Sequence, residues 1–292
     1  MARLAVLVAA AARTLASAGI PADDARRDAA LLVRHQLGWT HAHWLAHGDD
    51  DTPAGLVAAY DALVSRRAQR EPMSQILGVR EFYGREFAVT RDVLTPRPET
   101  EGVIEEALRW LTAHGSGLGM QPVIADVGTG SGCLAVTLAL ELPFARVIAT
   151  DVSTAALEVA RGNAARYGLG YHIDFRETSL LDGVPAPLDL IVSNPPYIPD
   201  ADRGSLMPEV RDYEPAGALF GGHDGLDVVR ALIRESARAL RSQGGLVMEI
   251  GEGQSDALRA LLVDAGFSVD RIAEDLRGVP RVVVATNRST AP

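Results

Sequence analysis

One stretch of the chain decides the fold: Val123-Ile124-Ala125-Asp126-Val127-Gly128-Thr129-Gly130-Ser131-Gly132. Its mostly apolar first half predicts a strand, and an apolar helical pattern begins at Cys133. Glycine accepts the positive φ of a tight turn and lets a ligand approach the backbone, and a helix N-terminus leaves N–H groups free. The stretch therefore predicts a ligand-binding loop between a strand and a helix.

Outward from this loop, strands alternate with helices. The predicted strands are Val123–Val127, Arg146–Thr150, Tyr171–Arg176, Leu188–Ser193, Gly245–Ile250, Phe267–Ile272 and Arg281–Ala285. The predicted helices are Cys133–Leu142, Thr154–Tyr167, Leu226–Arg241 and Ser255–Ala265. Such alternation predicts an α/β fold with a mostly parallel, Rossmann-like seven-stranded sheet. The last two strands have no helix between them, so we expect one to run antiparallel at or near an edge.

The glycine loop and an acidic strand end predict a cofactor that contains adenosine. Asp151 ends the second strand, where its carboxylate can accept hydrogen bonds from adjacent ribose hydroxyls. The loop lacks the last glycine of the dinucleotide pattern, since Val136 lies beyond it. These features alone leave S-adenosylmethionine and NAD open. The candidate cofactor contacts are Asp126, Gly128, Thr129, Gly130, Ser131, Gly132 and Asp151.

A second motif, Asn194-Pro195-Pro196-Tyr197, follows the apolar strand Leu188–Ser193. The carboxyl ends of parallel strands are where α/β sheets bind ligands. Two prolines remove two N–H donors, which leaves backbone carbonyls and the Asn194 side-chain oxygen as acceptors. Acceptors suit an –NH2 group on a planar carbon, and Tyr197 could pack on that flat group. The motif therefore favours S-adenosylmethionine and a catalytic site for N-methylation, formed by Asn194, Pro195, Pro196 and Tyr197, with Asn194 also near the cofactor.

The first 79 residues predict a small helical domain. Met1–Ala12 resembles a short signal peptide, but Leu4, Leu7, Val8, Ala11 and Leu15 fall at helical spacing, which favours an amphipathic helix. Asp23-Asp24 is expected to cap a helix that Gly38 ends, and the run 49–53 to cap another through Arg70. The predicted divisions are 1–79, a hairpin linker at 80–96 with Gly84 near its turn, and a catalytic domain at 97–292. Residues 114–119 form a predicted connection, and 199–217 a functional loop.

Composition narrows the class of partner. The net charge is −10, all 28 basic residues are Arg, and the excess acid lies in residues 80–292. An acidic catalytic half argues against stable binding of nucleic acid. No apolar run reaches bilayer length, so we expect no membrane span and a cytoplasmic protein. Cys133 is the single cysteine, and a histidine pair at 43 and 47 has no convincing third ligand, so we expect no metal.

Several further segments match a known family. They are Asp28-Ala29-Ala30-Leu31-Leu32, Glu71-Pro72, Ile76-Leu77-Gly78, Glu81-Phe82-Tyr83-Gly84, Thr95-Pro96-Arg97-Pro98-Glu99-Thr100-Glu101, Ala218-Leu219-Phe220-Gly221-Gly222 and Gly225-Leu226. With the glycine loop and the Asn-Pro-Pro-Tyr motif, the chain resembles the release-factor glutamine N5-methyltransferases of the HemK/PrmC type over nearly its whole length. The segment from Thr95 to Glu101 is the most discriminating.

The resemblance implies a class I S-adenosylmethionine-dependent methyltransferase fold behind a helical domain that docks the substrate. It implies methylation of the Gln in the Gly-Gly-Gln loop of peptide-chain release factors. It assigns Gly128, Gly130 and Gly132 to the methionine end, Asp151 to the ribose, and the 194–197 motif to the target amide. The family often has Asp and an aromatic residue where this chain has Ser179-Leu180, so Leu180 is expected to contact adenine by apolar packing. Arg97 and Glu99 are expected to brace the site, although an ion pair alone would also explain them.

Three other functions remain open from the sequence. Adenine-N6 nucleic-acid methyltransferases share the Asn-Pro-Pro-Tyr motif, a ribosomal protein could be the glutamine substrate, and a cofactor-binding adaptor of the translation machinery would need no catalysis. The helical domain, the segment from Thr95 to Glu101 and the acidic catalytic half favour the release-factor reading.

Overall fold

The computed structural model describes residues 3–115 and 121–288, and these form two units. One unit comprises Met1–Val79 and Met207–Tyr213, and the other comprises Arg80–Leu206 and Glu214–Pro292. The connection expected at 114–119 falls largely outside the described residues. Within the described part of the chain, no helix is both long and apolar enough to span a membrane.

The first unit is helical. Its helices are α1 (Leu4–Ser17), α2 (Ala22–Leu37), α3 (His41–His47), α4 (Leu56–Ala68) and α5 (Met73–Leu77). The predicted amphipathic helix at the N-terminus is confirmed, because Leu4, Val8, Ala11 and Leu15 are buried along one face of α1. They pack with apolar residues of α2 and α4 around Tyr60, whose hydroxyl donates to the Ala29 carbonyl at 3.0 Å.

Two helix starts differ from the prediction. Asp23 and Asp24 lie in the first turn of α2 and do not cap it; they pair with Arg26 and Arg27. A carboxylate there still favours the positive end of the helix dipole. The run 49–53 caps no helix either, because α4 begins only after Gly55, which adopts φ +83°. Gly38 ends α2 in the left-handed conformation, as predicted.

A short segment from late in the chain belongs to the helical unit. It contains α9 (Pro208–Arg211), and Glu209 is its buried anchor. The Glu209 carboxylate accepts from Arg67 at 2.9 Å and from Arg70 at 2.7 Å. Arg67 also donates to Asp28 at 2.7 Å, which gives the aspartate of the matched segment Asp28–Leu32 a structural role. The catalytic domain expected at 97–292 is thus interrupted, because this buried ion pair holds residues 207–213 within the helical unit.

The second unit contains a seven-stranded sheet. Its strands are β3 (Val123–Val127), β4 (Arg146–Asp151), β5 (Ile173–Glu177), β6 (Leu188–Ser193), β7 (Leu240–Glu249), β8 (Phe267–Glu274) and β9 (Pro280–Asn287). Their order is β5-β4-β3-β6-β7-β9-β8, and β9 alone runs opposite to the other six strands. The Rossmann-like sheet and the antiparallel strand near one edge are both confirmed.

Helices cover both faces of this sheet. They are α6 (Glu101–His114), α7 (Cys133–Glu141), α8 (Thr154–Arg166), α11 (Asp227–Ala239) and α12 (Ser255–Asp264). Alternate strand residues point to opposite faces. Ile124, Val147 and Val192 therefore pack with α6 and α7, while residues such as Ile148 and Ile191 pack with α11 and α12.

The remaining elements are short. The predicted hairpin is β1 (Val79–Phe82) and β2 (Arg85–Ala88), joined at Tyr83 and Gly84, which both have positive φ. The loop after β6 contains a 3₁₀ turn at Asp200–Ser205, the helix α9 described above, and α10 (Ala216–Leu219). This loop leads from the Asn-Pro-Pro-Tyr motif back to α11.

The buried pair at Glu209 predicts a stability effect that depends on pH. Removing one partner of a buried ion pair leaves an uncompensated charge, so Glu209→Gln is expected to lower the free energy of unfolding by about 3 kcal/mol at neutral pH. Burial alone would raise the pKa of Glu209, but hydrogen bonds from Arg70 and Arg67 outweigh it and lower the pKa below 4.5. The stabilisation is therefore full above the unfolded pKa and is lost as the pH falls through the folded value.

Urea denaturation followed by the fluorescence of Trp39 and Trp44 would measure this difference at neutral and acid pH. Asp212→Asn is the control, because Asp212 pairs with Arg211 in the same segment but is exposed to solvent. Unfolding of Glu209→Gln that is indistinguishable from wild type at neutral pH would contradict the role given to this pair.

Candidate active site

Two loops meet at one edge of the sheet because β3 and β6 are parallel neighbours. Their register pairs Val127 with Ser193, so both strands end at the same level. The Ser193 hydroxyl donates to the Val127 carbonyl at 2.7 Å, which ties the two strand ends together. The glycine loop after β3 and the Asn-Pro-Pro-Tyr motif after β6 therefore begin side by side.

The glycine loop takes a conformation that other residues would resist. Gly128, Gly130 and Gly132 have φ of +73°, +54° and +80°. A Cβ on Gly132 would lie 3.0 Å from the Cβ of Ala160 in α8, so this glycine permits close packing. A Cβ on Gly128 or Gly130 would meet no atom within 4 Å, and both residues line the cavity described below. Side chains there would occupy space that a ligand could use.

Asp126 stabilises the loop from behind. Its Oδ2 accepts from the Thr129 hydroxyl at 2.6 Å and from the Ala135 N–H at 3.0 Å. Its Oδ1 is buried without a hydrogen-bond partner. Burial raises the pKa of Asp126 to about 7, although both hydrogen bonds act to lower it. Asp126 therefore fixes the loop conformation through Thr129 and the first turn of α7 through the Ala135 N–H.

Asp151 lies at the end of β4, beside the same loop. Its two oxygens accept from the Gly130 N–H and the Ser153 N–H, each at 2.9 Å. A carboxylate has about four lone-pair sites, so each oxygen can accept a further bond. Asp151 is thus both held in place and able to bind a pair of hydroxyl groups.

A cavity of about 530 Å³ connects these features. This volume is within the range of small-molecule sites. Of the nine predicted cofactor residues, seven line it: Gly128, Thr129, Gly130, Ser131, Asp151, Leu180 and Asn194. Asp126 and Gly132 are not among the lining residues, because the first lies behind the loop and the second packs on α8. Of the predicted catalytic residues, Asn194 and Pro196 line the cavity, and Pro195 and Tyr197 do not.

Part of the cavity wall comes from the predicted hairpin linker at 80–96. Its residues Asp92, Val93, Leu94 and Pro96 line the cavity, which the sequence did not predict. In the sequence, this stretch is a run without periodicity that ends at a proline, which is also how an ordinary connection looks.

Leu180 has an unusual backbone conformation, with φ +48°. Its carbonyl accepts from Thr150 Oγ1 at 2.8 Å, which holds it there.

Asn163 is a second missed residue. This buried side chain of α8 donates to the Ser131 carbonyl at 2.8 Å and exchanges two hydrogen bonds with the backbone of Ala88. It therefore connects the glycine loop to the end of the hairpin. Its position inside a helix gave no sign of this role.

The side chains of the second motif belong to a buried polar network. Asn194 Nδ2 donates to Thr100 Oγ1 at 3.1 Å, and Thr100 donates to Glu249 Oε2 at 2.6 Å. The Tyr197 hydroxyl donates to Glu249 Oε1 at 3.1 Å. Burial raises the pKa of Glu249 and of Tyr197, so the phenol keeps its proton and acts as a donor. Neither Thr100 nor Glu249 was predicted as a site residue.

The backbone of the motif is fixed by close contacts. The Tyr197 carbonyl accepts from Gln254 Nε2 at 2.9 Å. A Cβ on Gly221 would lie 2.6 Å from the Pro196 carbonyl oxygen, and one on Gly225 would lie 2.2 Å from that of Tyr197. Only glycine fits at these two positions, which explains the glycines in the matched segments there.

Other candidate residues have ordinary roles. Arg97 forms an ion pair of 2.6 Å with the buried Glu214, whereas Glu99 approaches Arg277 only to 3.8 Å at the surface. Burial raises the pKa of the Cys133 thiol to about 12, so it is not a nucleophile at neutral pH. His43 and His47 in the helical unit stack on each other with ring centroids 4.4 Å apart.

Comparisons with known proteins agree with this geometry. Residues 7–78 match the family model described as the PrmC N-terminal domain. Residues 108–207 match the model described as a methyltransferase small domain. The second match includes the glycine loop, Asp151 and the Asn-Pro-Pro-Tyr motif.

Two of the similar proteins are named release factor glutamine methyltransferase. A release factor glutamine methyltransferase of Cereibacter sphaeroides is 44% identical over 97% of this chain and 98% of its own length. One of Geobacter sulfurreducens is 40% identical over 92% of this chain and 91% of its own. Among solved structures, the hMettl16 catalytic domain in complex with the MAT2A 3′UTR hairpin 6 has a TM-score of 0.54 at 20% identity, covering 79% of this chain and 84% of that one. The last likeness concerns the fold alone.

The position of Asp151 predicts its effect on cofactor affinity. Asp151→Ala is expected to weaken binding of S-adenosylmethionine roughly tenfold to a hundredfold, since a hydrogen bond to a charged group is worth about 1.5–3 kcal/mol. Isothermal titration calorimetry would measure it, with thermal unfolding to verify the fold. Glu177→Ala is the matched control, because Glu177 pairs with Asp151 in the sheet but does not line the cavity. Equal affinity in wild type and Asp151→Ala would contradict this assignment.

Proposed function

This chain belongs to the release factor glutamine methyltransferase family, and from that premise we propose that it methylates the Gln side chain in the Gly-Gly-Gln loop of peptide-chain release factors. It is an S-adenosylmethionine-dependent methyltransferase. The single observation that carries the proposed chemistry is the position of Asn194, whose side chain lines the cavity between the glycine loop and the second motif.

The methyl donor that we propose is S-adenosylmethionine, held by Gly128–Ser131, Asp151 and Leu180. Two properties of the cavity support this choice: the free space over Gly128 and Gly130, and an aspartate that can accept from two hydroxyl groups. When bound, this cofactor supplies a methyl group on a positively charged sulfur. Asp126 is assigned an indirect part in cofactor binding, because it lies behind the loop and holds Thr129, which lines the cavity.

The acceptors that we propose for the target amide are Asn194 Oδ1 and the Pro195 carbonyl. Asn194 Nδ2 is engaged by Thr100, the Tyr197 carbonyl by Gln254, and the Pro196 carbonyl is covered by Gly221. Within residues 3–115 and 121–288, no hydrogen bond to the Pro195 carbonyl is observed, and Pro195 lies between Asn194 and Pro196, which both line the cavity. It is therefore the backbone acceptor of the motif that is best able to bind a substrate.

Two acceptors would solve the main difficulty of the reaction. An amide nitrogen is a poor nucleophile because its lone pair is delocalised into the carbonyl. Holding both N–H groups would orient the nitrogen and turn its lone pair toward the methyl group that the cofactor would supply. Transfer would form an N–C bond at the expense of the C–S bond of the cofactor, and the nitrogen would lose one proton to water. The chain contributes by positioning and by placing oxygens next to the positive charge that develops on nitrogen.

Release factors as substrates are supported by the names of the relatives and by the match of residues 7–78 to the PrmC N-terminal domain. We assign the helical unit to substrate docking, and we place the protein in the cytoplasm, where translation terminates. The net charge of −10 does not support adenine in nucleic acid as the target.

Methyl transfer to a release factor is the first test. With radiolabelled S-adenosylmethionine, the purified release factor is expected to take up label, and its variant with Ala in place of the Gln of the Gly-Gly-Gln loop is not. The two substrates differ by one side chain, so they share every docking surface. Equal labelling of both would show that the target is elsewhere. Labelling of RNA or DNA in parallel reactions would favour the adenine reading.

Asn194→Ala tests the catalytic assignment. Loss of an acceptor used in the transition state is expected to lower kcat roughly 100- to 1000-fold while cofactor affinity stays within about threefold of wild type. Gly204→Ala is the control in the same loop, because a Cβ there meets nothing within 4 Å. Retention of wild-type kcat in Asn194→Ala would exclude Asn194 as an acceptor for the target.

A further inference from the structure

An asparagine amide has two ends of nearly the same shape but opposite function. The oxygen accepts hydrogen bonds, and the nitrogen donates two. If the side-chain amide of Asn194 were flipped end for end, its NH2 group would face the N–H groups of a target amide. The reaction proposed above therefore needs something that keeps the Asn194 oxygen toward the cavity.

Thr100 has the geometry to do this. Its hydroxyl lies 3.1 Å from Asn194 Nδ2 and 2.6 Å from Glu249 Oε2. A hydroxyl has one hydrogen to donate. In the structure, the Thr100 hydroxyl donates this hydrogen to Glu249 Oε2. The Thr100 oxygen is then left as an acceptor, so the atom of Asn194 that faces it must be the nitrogen.

We propose that Thr100 and Glu249 are positioning residues that fix which way the Asn194 amide faces and so keep its oxygen available to the target –NH2 group. This inference rests on the proposed function, because it deepens the role given to Asn194. Thr100 lines the cavity, but its hydroxyl is engaged by Asn194 and Glu249, so we assign both residues to acting through Asn194 and not to binding the target amide.

The surroundings of Glu249 agree with such a role. Glu249 ends β7, next to β6, and its side chain is almost fully buried. Its second oxygen accepts from the Tyr197 hydroxyl, so both oxygens have a donor. Thr100 ends the short 3₁₀ turn Pro98–Thr100 and is 2% exposed. Burying a carboxylate costs free energy unless donors satisfy it. Of the two donors to Glu249, Tyr197 belongs to the Asn-Pro-Pro-Tyr motif and Thr100 contacts Asn194 of that motif.

The kinetic test uses two substitutions of Thr100. Thr100→Val keeps the shape of the side chain but removes the hydroxyl, and it is expected to lower kcat roughly 10- to 100-fold with cofactor affinity within about twofold of wild type. Thr100→Ser keeps the hydroxyl and is expected to retain kcat to within about threefold. A purely steric role would give the reverse order, because Val preserves volume and Ser does not.

A double-mutant cycle separates action through Asn194 from general damage. In the Asn194→Ala background, Thr100→Val is expected to reduce kcat by less than about twofold further, because the amide that Thr100 orients is gone. Losses that multiply in the double variant would overturn the proposal, and so would equal kcat for Thr100→Val and wild type.

A measurement without substrate keeps the inference testable if the protein substrate proves to be different. In ¹⁵N-labelled protein, the Asn194 side-chain amide signal is identified by its absence from Asn194→Ala. Its hydrogen facing Thr100 is expected to exchange with solvent at least about tenfold more slowly in wild type and Thr100→Ser than in a variant without the hydroxyl. Thr100→Ala serves as that variant if Thr100→Val does not fold. Equal exchange in all forms would overturn the inference, whereas failure of release-factor labelling alone would overturn only the proposed function.

Discussion

Parallel pairing of β3 with β6 brings the Val127 carbonyl and the Ser193 hydroxyl to 2.7 Å, where the order of the strands reverses along the sheet. At such a point, the loops of neighbouring strands diverge to opposite faces and leave a crevice. The glycine loop forms one side of this crevice and the Asn-Pro-Pro-Tyr motif forms the other. The cavity, the ligands it could hold and the orientation of Asn194 all depend on this adjacency.

The Asn-Pro-Pro-Tyr motif is fixed mainly by contacts with residues that are distant in the sequence, so the motif itself does not reveal them. The two prolines remove N–H donors, but their presence in the sequence does not show which acceptors of the motif remain free. Gly221 lies close to the Pro196 carbonyl, and Gln254 donates to the Tyr197 carbonyl. Thr100, which donates to Glu249, accepts from Asn194 Nδ2. These contacts leave the two acceptors that we propose, the Asn194 side-chain oxygen and the Pro195 carbonyl. In the proposed mechanism, Glu249 acts without contacting the substrate: it accepts the hydrogen of the Thr100 hydroxyl, so the Thr100 oxygen accepts from Asn194 Nδ2.

Much of this architecture could be predicted from local sequence. Val123–Val127 and Leu188–Ser193 were predicted with their observed bounds, because each is an apolar run ended by Gly or by Asn-Pro. Thr100 and Glu249 could not be predicted, since they lie 94 and 55 residues from Asn194 in opposite directions, and only the folded sheet brings them together. For the same reason, the ion pair of Glu209 with Arg67, 142 residues away, was missed. Caps predicted from acidic runs were wrong where a proline or glycine set the start of the helix.

In the proposed mechanism, Asn194 and Pro195 together hold the two N–H groups of a planar amide. A crystal structure of this protein with S-adenosylhomocysteine and a release factor would show whether they do. The side-chain nitrogen of the loop Gln is expected at hydrogen-bond distance, about 2.9 Å, from both Asn194 Oδ1 and the Pro195 carbonyl oxygen. A Gln side-chain nitrogen that contacts neither oxygen would rule out this pair as the acceptors.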